Sequence, residues 1–391
     1  METLEQSNSQ SEGLVNRVLV DLENRRQRII NGEVNCIPSP FKIFQNDYPG
    51  IQQGMYYLIS GASKSGKSQL ASYLFLYSSI FYAYNNPDKI RLKIFYFPLE
   101  ETPENIMARF MCHLLYVNSK FTIRISPMQL KSIQEGVVID EEILQLLHSE
   151  EYQRVLKFFE SRIEFVTDRN PTGYYKKIKE YAQNNGTSHK KTITILDKVT
   201  GIETEKEVFD YYEPNDPNEY VIAITDHISL CETERGLTLK QCMDKWSEYG
   251  IILRNKYKYI IVNIQQQNQD TINLEAFKEN KVRPTLAGLA DTKNTGKDCN
   301  VLIGITNPYA FELPLYPYPK DANNKANYSI RDLKGYFRFL EIVLNRDGES
   351  NGMLPLYFDG AVNYFTPMPA STNMTELTKI YAKVKNYSGI S

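Results

Sequence analysis

Residues Gly61-Ala62-Ser63-Lys64-Ser65-Gly66-Lys67-Ser68 read G-x-x-x-x-G-K-[ST], and their surroundings constrain the fold. Before them runs Met55-Tyr56-Tyr57-Leu58-Ile59-Ser60, short, apolar and suited to a strand; after them Gln69 to Phe81 suits a helix. A strand, a glycine-rich turn and a helix start, in that order, turn successive backbone N–H groups inward. That is the geometry an anionic polyphosphate needs. Gly61 and Gly66 permit the tight turn and the close approach of backbone to phosphate. Lys67 supplies a point charge, and the Ser68 hydroxyl is a ligand of the kind Mg²⁺ takes. The pattern nominates Gly61, Ala62, Ser63, Lys64, Ser65, Gly66, Lys67, Ser68 and Gln69 as a binding loop for a nucleoside triphosphate such as ATP with its Mg²⁺.

The rest of the composition narrows the class without adding chemistry. At 391 residues with 42% hydrophobic content, the chain can bury a large core. A formal net charge of −2 does not announce a nucleic-acid binder, so any such contact must come from a local basic path. Five cysteines (Cys36, Cys112, Cys231, Cys242 and Cys299) lie far apart with no C-x-x-C pair, and the four histidines are scattered. They read as buried small residues in a reducing compartment, not as a zinc site or disulfide framework. The polar start METLEQSNSQSEG has no signal-peptide core and no apolar run is long enough to span a bilayer. The expectation is a cytosolic chain that meets no membrane.

Strand and helix signals alternate along the sequence. Residues 1–12 read as a disordered tail, and Leu14, Val15, Val18, Leu19 and Leu22 follow helical spacing within a segment 13–35. That stripe must bury itself, on its own domain or on a neighbouring subunit. Ile94 to Phe97, Ile163 to Val166, Val221 to Thr225, Tyr259 to Ile264, Val301 to Thr306 and Leu340 to Leu344 read as strands. Thr102-Pro103-Glu104 is a helix start and Tyr174 to Gln183 a helix. The expected fold is therefore α/β, a mainly parallel sheet flanked by helices, with ligands at the strands' carboxyl ends. Residues 187–212 break the pattern as an inserted β-hairpin turning near Thr200-Gly201, either decoration or a partner-binding arm. Pro308 to Ala326 reads as a loop, and the tail 367–391 carries a weak helix from Met374 to Lys385.

Hydrolysis also needs a metal-positioning acid, a base for water, a γ-phosphate sensor and a cation for the developing charge. Val221-Ile222-Ala223-Ile224-Thr225-Asp226 is an apolar strand ending in an acid, so Asp226 can hold Mg²⁺ directly or through water. Phe95-Tyr96-Phe97-Pro98-Leu99-Glu100 ends likewise, making Glu100 a candidate base, with Glu101 as its rival. Gln265-Gln266-Gln267-Asn268-Gln269 is a run of amides at a strand end, able to sense phosphate by hydrogen bonding. Asn345-Arg346-Asp347-Gly348 follows a strand, and Arg346 projects from its turn as a candidate arginine finger.

Together these elements resemble the motor domain of the DnaB-type replicative helicases, in the RecA-like superfamily, over residues from about 14 to 365. Leu19-Val20-Asp21-Leu22-Glu23-Asn24-Arg25-Arg26 is similar to that family's linker helix, which docks on the next subunit of a ring. Ile37-Pro38-Ser39-Pro40-Phe41 and Gly50-Ile51-Gln52-Gln53-Gly54 resemble its "G-x-P-T-G-F" and "G-G-L-x-x-G". Phe97-Pro98-Leu99-Glu100 resembles "F-S-L-E", which implies that Glu100 is the catalytic glutamate. Thr225-Asp226-His227-Ile228-Ser229-Leu230 resembles "I-D-Y-L-Q-L", which gives Asp226 the Walker B role. The family's "S-Q-L-N" falls on Gln265-Gln266-Gln267-Asn268, making Gln266 the sensor. Arg283-Pro284-Thr285-Leu286 through Asp298-Cys299-Asn300-Val301 is similar to "R-P-x-L-S-D-L-R-E-S-G … D-A-D-V". In that family this loop meets the single-strand backbone, which implicates Lys293, Asn294, Thr295, Gly296 and Lys297. Asn345-Arg346-Asp347-Gly348 resembles "K-x-R-N-G", which makes Arg346 the finger.

The resemblance has gaps. Leu344 stands at the lysine of that last motif and Ala290 at the loop arginine, while the family's N-terminal collar domain has no counterpart in the dozen residues before the linker helix. The expectation is a RecA-like core over residues 36–366 that binds ATP and Mg²⁺. It would drive a homo-oligomeric, hexameric ring along single-stranded DNA during replication, with replication partners, in a bacterial cytosol or an infected host cell. A RecA-like ATPase acting in recombination or regulation without unwinding is the alternative. A nucleotide-gated assembly protein is a third, which the joint presence of Glu100, Asp226 and Arg346 disfavours.

Overall fold

The computed structural model describes residues 14–133, 135–196, 203–268, 283–316, 327–350 and 352–388. The expected tail 1–12, the hairpin turn at Thr200-Gly201, Gln269 and part of the 308–326 loop lie outside them.

A nine-stranded sheet forms the centre. Its strands are β1 (Tyr56–Gly61), β2 (Arg91–Pro98), β3 (Ile163–Phe165), β6 (Glu219–Asp226), β7 (Ile260–Gln266), β8 (Val301–Thr306), β9 (Phe337–Asn345), β10 (Met353–Asp359) and β11 (Tyr364–Pro367), with β4 (Gly186–Leu196) and β5 (Glu203–Pro214) apart from it as a hairpin. Across the sheet the order is β11-β10-β9-β8-β1-β7-β6-β2-β3. The six strands from β8 to β3 are parallel; β9, β10 and β11 extend the sheet antiparallel. Most of the apolar runs that the sequence offers as strands are these parallel ones, buried on both faces because helices cover both, while Leu340 to Leu344 falls in the antiparallel β9.

On one face pack α2, α3 (Pro103–Asn118) and α4 (Glu150–Arg162), where Leu74, Phe75, Phe110 and Phe159 meet Tyr57, Ile59 and Ile94. Here α2 is a continuous rod from Lys67–Ala71 through a π turn at Ser72–Tyr77 to Ser78–Asn85. On the other face lie α5 (Pro171–Asn184) and α6 (Leu239–Tyr257), with Tyr174, Ile178, Trp246 and Leu253 against Tyr56, Leu58, Phe97 and Ile261. Around the antiparallel extension a third core joins Phe337, Tyr357 and Met368 to Leu377 and Val384 of the C-terminal helix Met374–Ser388.

Thr102 caps α3 as its sequence implies, its hydroxyl accepting from the Asn105 N–H with Pro103 next in line. The helix α1 (Leu14–Ile30) leaves its apolar residues outside: Val15 is 74% exposed and Leu22 56%. At its root the Arg28 guanidinium donates to the Val34 carbonyl and to Asn218 Oδ1. The hairpin β4–β5 is antiparallel from Gly186↔Pro214 to Leu196↔Glu203, and its base packs Tyr212 on Tyr257 and Tyr259.

Candidate nucleotide-binding and hydrolysis site

The turn after β1 folds as the motif requires. Gly61 admits no side chain, since a Cβ there would lie 2.4 Å from the Ile305 carbonyl oxygen and 2.5 Å from Ser65 Oγ. Gly66 has φ of +97°, which favours glycine. It begins α2 without any side-chain cap, so the first N–H groups of that helix face the turn with no protein acceptor supplied by a capping residue. The Lys67 ammonium donates to the Ala62 carbonyl at 2.9 Å. Burial pushes its pKa down to about 8, against the pull of the Asp226 and Glu100 charges.

Asp226 ends β6, one strand removed from β1 because β7 lies between them. It still reaches the turn: the Ser68 hydroxyl donates to Asp226 Oδ1 at 2.8 Å, and Tyr96 Oη donates to Oδ2 at 3.3 Å. At 4% exposure the carboxyl is pushed up to about 6 by burial. A hydroxyl and a carboxylate held together are oxygen donors of the kind Mg²⁺ prefers. These two residues therefore fit the metal, and would hold it against the phosphates.

β2 ends beside β6, and the N–H groups of Leu99 and Glu100 both donate to the Asp226 carbonyl, at 2.9 and 3.2 Å. This places the exposed Glu100 carboxylate in the same cluster, with no hydrogen bond or ion pair of its own among the described residues. Glu101 is instead tied to Arg109 at 2.6 Å. Of the two candidate bases, only Glu100 is unengaged.

The amide run divides the same way. Gln265 and Gln267 are buried. Gln265 donates to the carbonyls of Ala290 and Thr292 and accepts from Thr295, and Gln267 donates to Ser60 Oγ and to the Thr285 carbonyl. Gln266, in register with Gly61 at the end of β7, alone within Gln265-Gln266-Gln267 keeps its side-chain amide unbonded among the described residues.

Arg346 is exposed beyond the end of β9, and its guanidinium folds onto its own chain, donating to the carbonyls of Cys299 and Lys297. The structure does not bring it to the cluster around Lys67 within one protomer. Four of the five loop residues fall into a short helix, Asn294–Asp298, and Lys293 immediately precedes it. Lys293 and Lys297 are exposed and Asn294 is partly so, whereas Thr295 and Gly296 are buried, Gly296 against Leu286 and Leu289. Lys293 and Asn294 line a groove of about 460 Å³ with Lys240, Asn268 and Asp291.

One residue of this neighbourhood went unmarked in the sequence. Arg338, second in β9, donates from Nε to the Ser65 carbonyl at 2.7 Å. Its signal was a lone guanidinium inside Phe337-Arg338-Phe339-Leu340, since arginine is seldom buried without a reason.

No protein-family model and no curated protein sequence matches the chain. Solved structures do match. The ATPase domain of G40P aligns with a TM-score of 0.58 at 13% identity, covering 92% of this chain and 100% of that one. A DnaB-like replicative helicase, in a structure describing its interactions with primase, aligns with a TM-score of 0.58 at 12% identity, covering 92% and 69%. The chain has the RecA-like ATPase fold. It shares that fold with these two domains. Among the described residues no helix is long and apolar enough to cross a membrane.

Proposed function

We propose that this protein is an ATP-dependent, DnaB-like DNA helicase: a ring-forming motor, hexameric by analogy, that moves on single-stranded DNA during replication. The observation that carries the reading is the contact between Ser68 and Asp226 with the unengaged Glu100 carboxylate beside it. The roles follow from position. The turn Gly61 to Gln69 and Lys67 hold the phosphates, and Ser68 and Asp226 would hold Mg²⁺, which would supply charge neutralisation at the phosphates. Glu100 orients and deprotonates the attacking water, and Gln266 senses the γ-phosphate by a neutral hydrogen bond. Arg346 is exposed and lies apart from its own protomer's cluster, which suits a finger given to a neighbour's nucleotide. In the apposed state it would release the carbonyls of Lys297 and Cys299.

Lys293 and Lys297, exposed on the segment after β7, supply the local positive charge that a net charge of −2 requires of a DNA-tracking surface. Thr295 and Gly296 can join them only if the short helix opens. That burial favours a second reading, a RecA-like DNA-dependent ATPase of recombination or regulatory assembly that does not unwind. One experiment separates them: ATP turnover with and without single-stranded DNA, and strand separation on a forked duplex, for the wild type and Lys67→Ala. DNA-stimulated turnover with unwinding, both lost in Lys67→Ala, supports the helicase. Stimulated turnover without unwinding supports the second reading, and turnover unchanged in Lys67→Ala sinks both.

A further inference from the structure

Arg338 is a charge that no described carboxylate balances. It is 6% exposed, and beyond its bond to Ser65 its Nη1 donates to the carbonyls of Gly335 and Phe337 at 2.8 and 2.7 Å. Its guanidinium carbon lies 4.7 Å from the centroid of the Phe358 ring. It forms no ion pair with any described carboxylate, and its Nη2 makes no hydrogen bond among the described residues. Burying a guanidinium without an anion is costly, and such charges persist where something compensates them. The polar partners it does have are all carbonyls, and one of these belongs to the phosphate-binding turn.

The geometry of that bond matters. In a trans peptide the C=O and the following N–H point in opposite directions. Pulling the Ser65 carbonyl toward Arg338 therefore aims the Gly66 N–H away from Arg338. A Cβ at Gly66 would lie 3.3 Å from Arg338 Nε, so the guanidinium closes against the face where glycine has no side chain. We propose that Arg338 is a positioning residue of the phosphate cradle: it fixes the Ser65–Gly66 peptide with its N–H toward the phosphates, and the bound polyphosphate is the anion that balances its charge. This rests on the reading of the turn as a nucleotide site.

The test measures dissociation constants of the full chain for Mg-ATP, Mg-ADP and inorganic pyrophosphate, with Lys67→Ala as reference. Thermal midpoints are taken with and without pyrophosphate. Arg338→Met removes the charge at similar volume and is expected to weaken all three ligands by on the order of tenfold to a hundredfold, as loss of a charge-assisted contact would. It should also shrink the pyrophosphate-induced rise in midpoint. Arg338→Lys restores part of both. A purely structural strut would lower only the ligand-free midpoint, and a folded Arg338→Met with wild-type affinities overturns the inference. If Arg338→Met does not fold, affinities in the order Arg, Lys, Gln from Arg338→Lys and Arg338→Gln support it, and equal affinities overturn it. Should the wild type bind none of the ligands, or Lys67→Ala bind them all as well, the nucleotide reading itself fails.

Discussion

Glu100 and Glu101 are adjacent acids at the end of one strand, and nothing in their chemistry separates them; their partners do. Glu101 is neutralised by Arg109 across the start of α3, while Glu100 faces Lys67 and Asp226. Glu100→Gln is therefore expected to leave ATP binding near wild type and to lower turnover by about a hundredfold to ten-thousandfold, the usual worth of a positioned base. Glu101→Gln should change turnover little and act on stability instead. Parallel loss of binding and turnover in Glu100→Gln would remove its role as base. The same lesson applies to the glutamines. The sequence presents five amides and asks for one sensor, but which amide is free depends on the carbonyls of 285, 290 and 292, which arrive from a distant segment. Motif chemistry was legible, because it is local. Engagement was not, because it is set by contacts between segments remote in sequence. Arg338 sits between these cases, a visible anomaly whose partner at Ser65 lies 273 residues away.

At the level of elements, the parallel strands announced themselves as apolar runs, whereas α6 did not announce itself as a helix. Its buried face reads Cys242, Met243, Trp246, Ser247, Gly250, Leu253 and Tyr257, a helical spacing diluted by Ser247 and Gly250. Both are small or polar because the sheet comes close: Ser247 hydrogen-bonds with Tyr56, and Gly250 faces Ile261. The packing that makes the helix necessary is what hid it. Helix α3 carries a different consequence. Its His113 is buried among Tyr73, Tyr77, Phe81 and Tyr364, and its Nδ1 bonds the Val362 carbonyl at 3.0 Å. Burial lowers its pKa from the ordinary 6.5 to about 4. Between those values the unfolded chain holds the proton and the folded chain does not, so stability is intact above pH 6.5 and falls as the pH drops toward 4. The full loss is about 3 kcal/mol. Denaturant unfolding of His113→Gln, which cannot take up that proton, should show a shallower dependence on pH over this interval; an identical slope would assign the acid sensitivity elsewhere.

For the whole molecule, what matters is that the described residues bring Lys67, Ser68, Asp226 and Glu100 together and leave Arg346 apart from them. Arg346 lies off the far end of an antiparallel strand, tied to carbonyls of its own chain. If it serves a neighbour, mixtures of Arg346→Ala and Glu100→Gln protomers should recover part of the turnover that each lacks alone, through interfaces pairing an intact Glu100 with an intact Arg346. No recovery at any ratio would exclude a finger given across subunits. The exposed apolar residues of α1 are the matching expectation for assembly: replacing Val15, Leu19 and Leu22 with serine should shift the particle toward monomer in sedimentation while leaving the fold intact.

The hairpin β4–β5 leaves the domain and returns to it at one point, Gly186 opposite Pro214, next to the amino end of β6. The Asp226 end of that strand is about 23 Å away. Beyond Lys191↔Val208 its strand residues pair with each other, and residues 192–195 and 203–207 are exposed. An arm whose ends already meet is a detachable part. Its outer part makes no demand on the central sheet, and replacing residues 192–207 by a two-residue turn should leave ATP turnover unchanged. Whatever that arm touches, its contribution can be removed and returned separately from the domain that carries it.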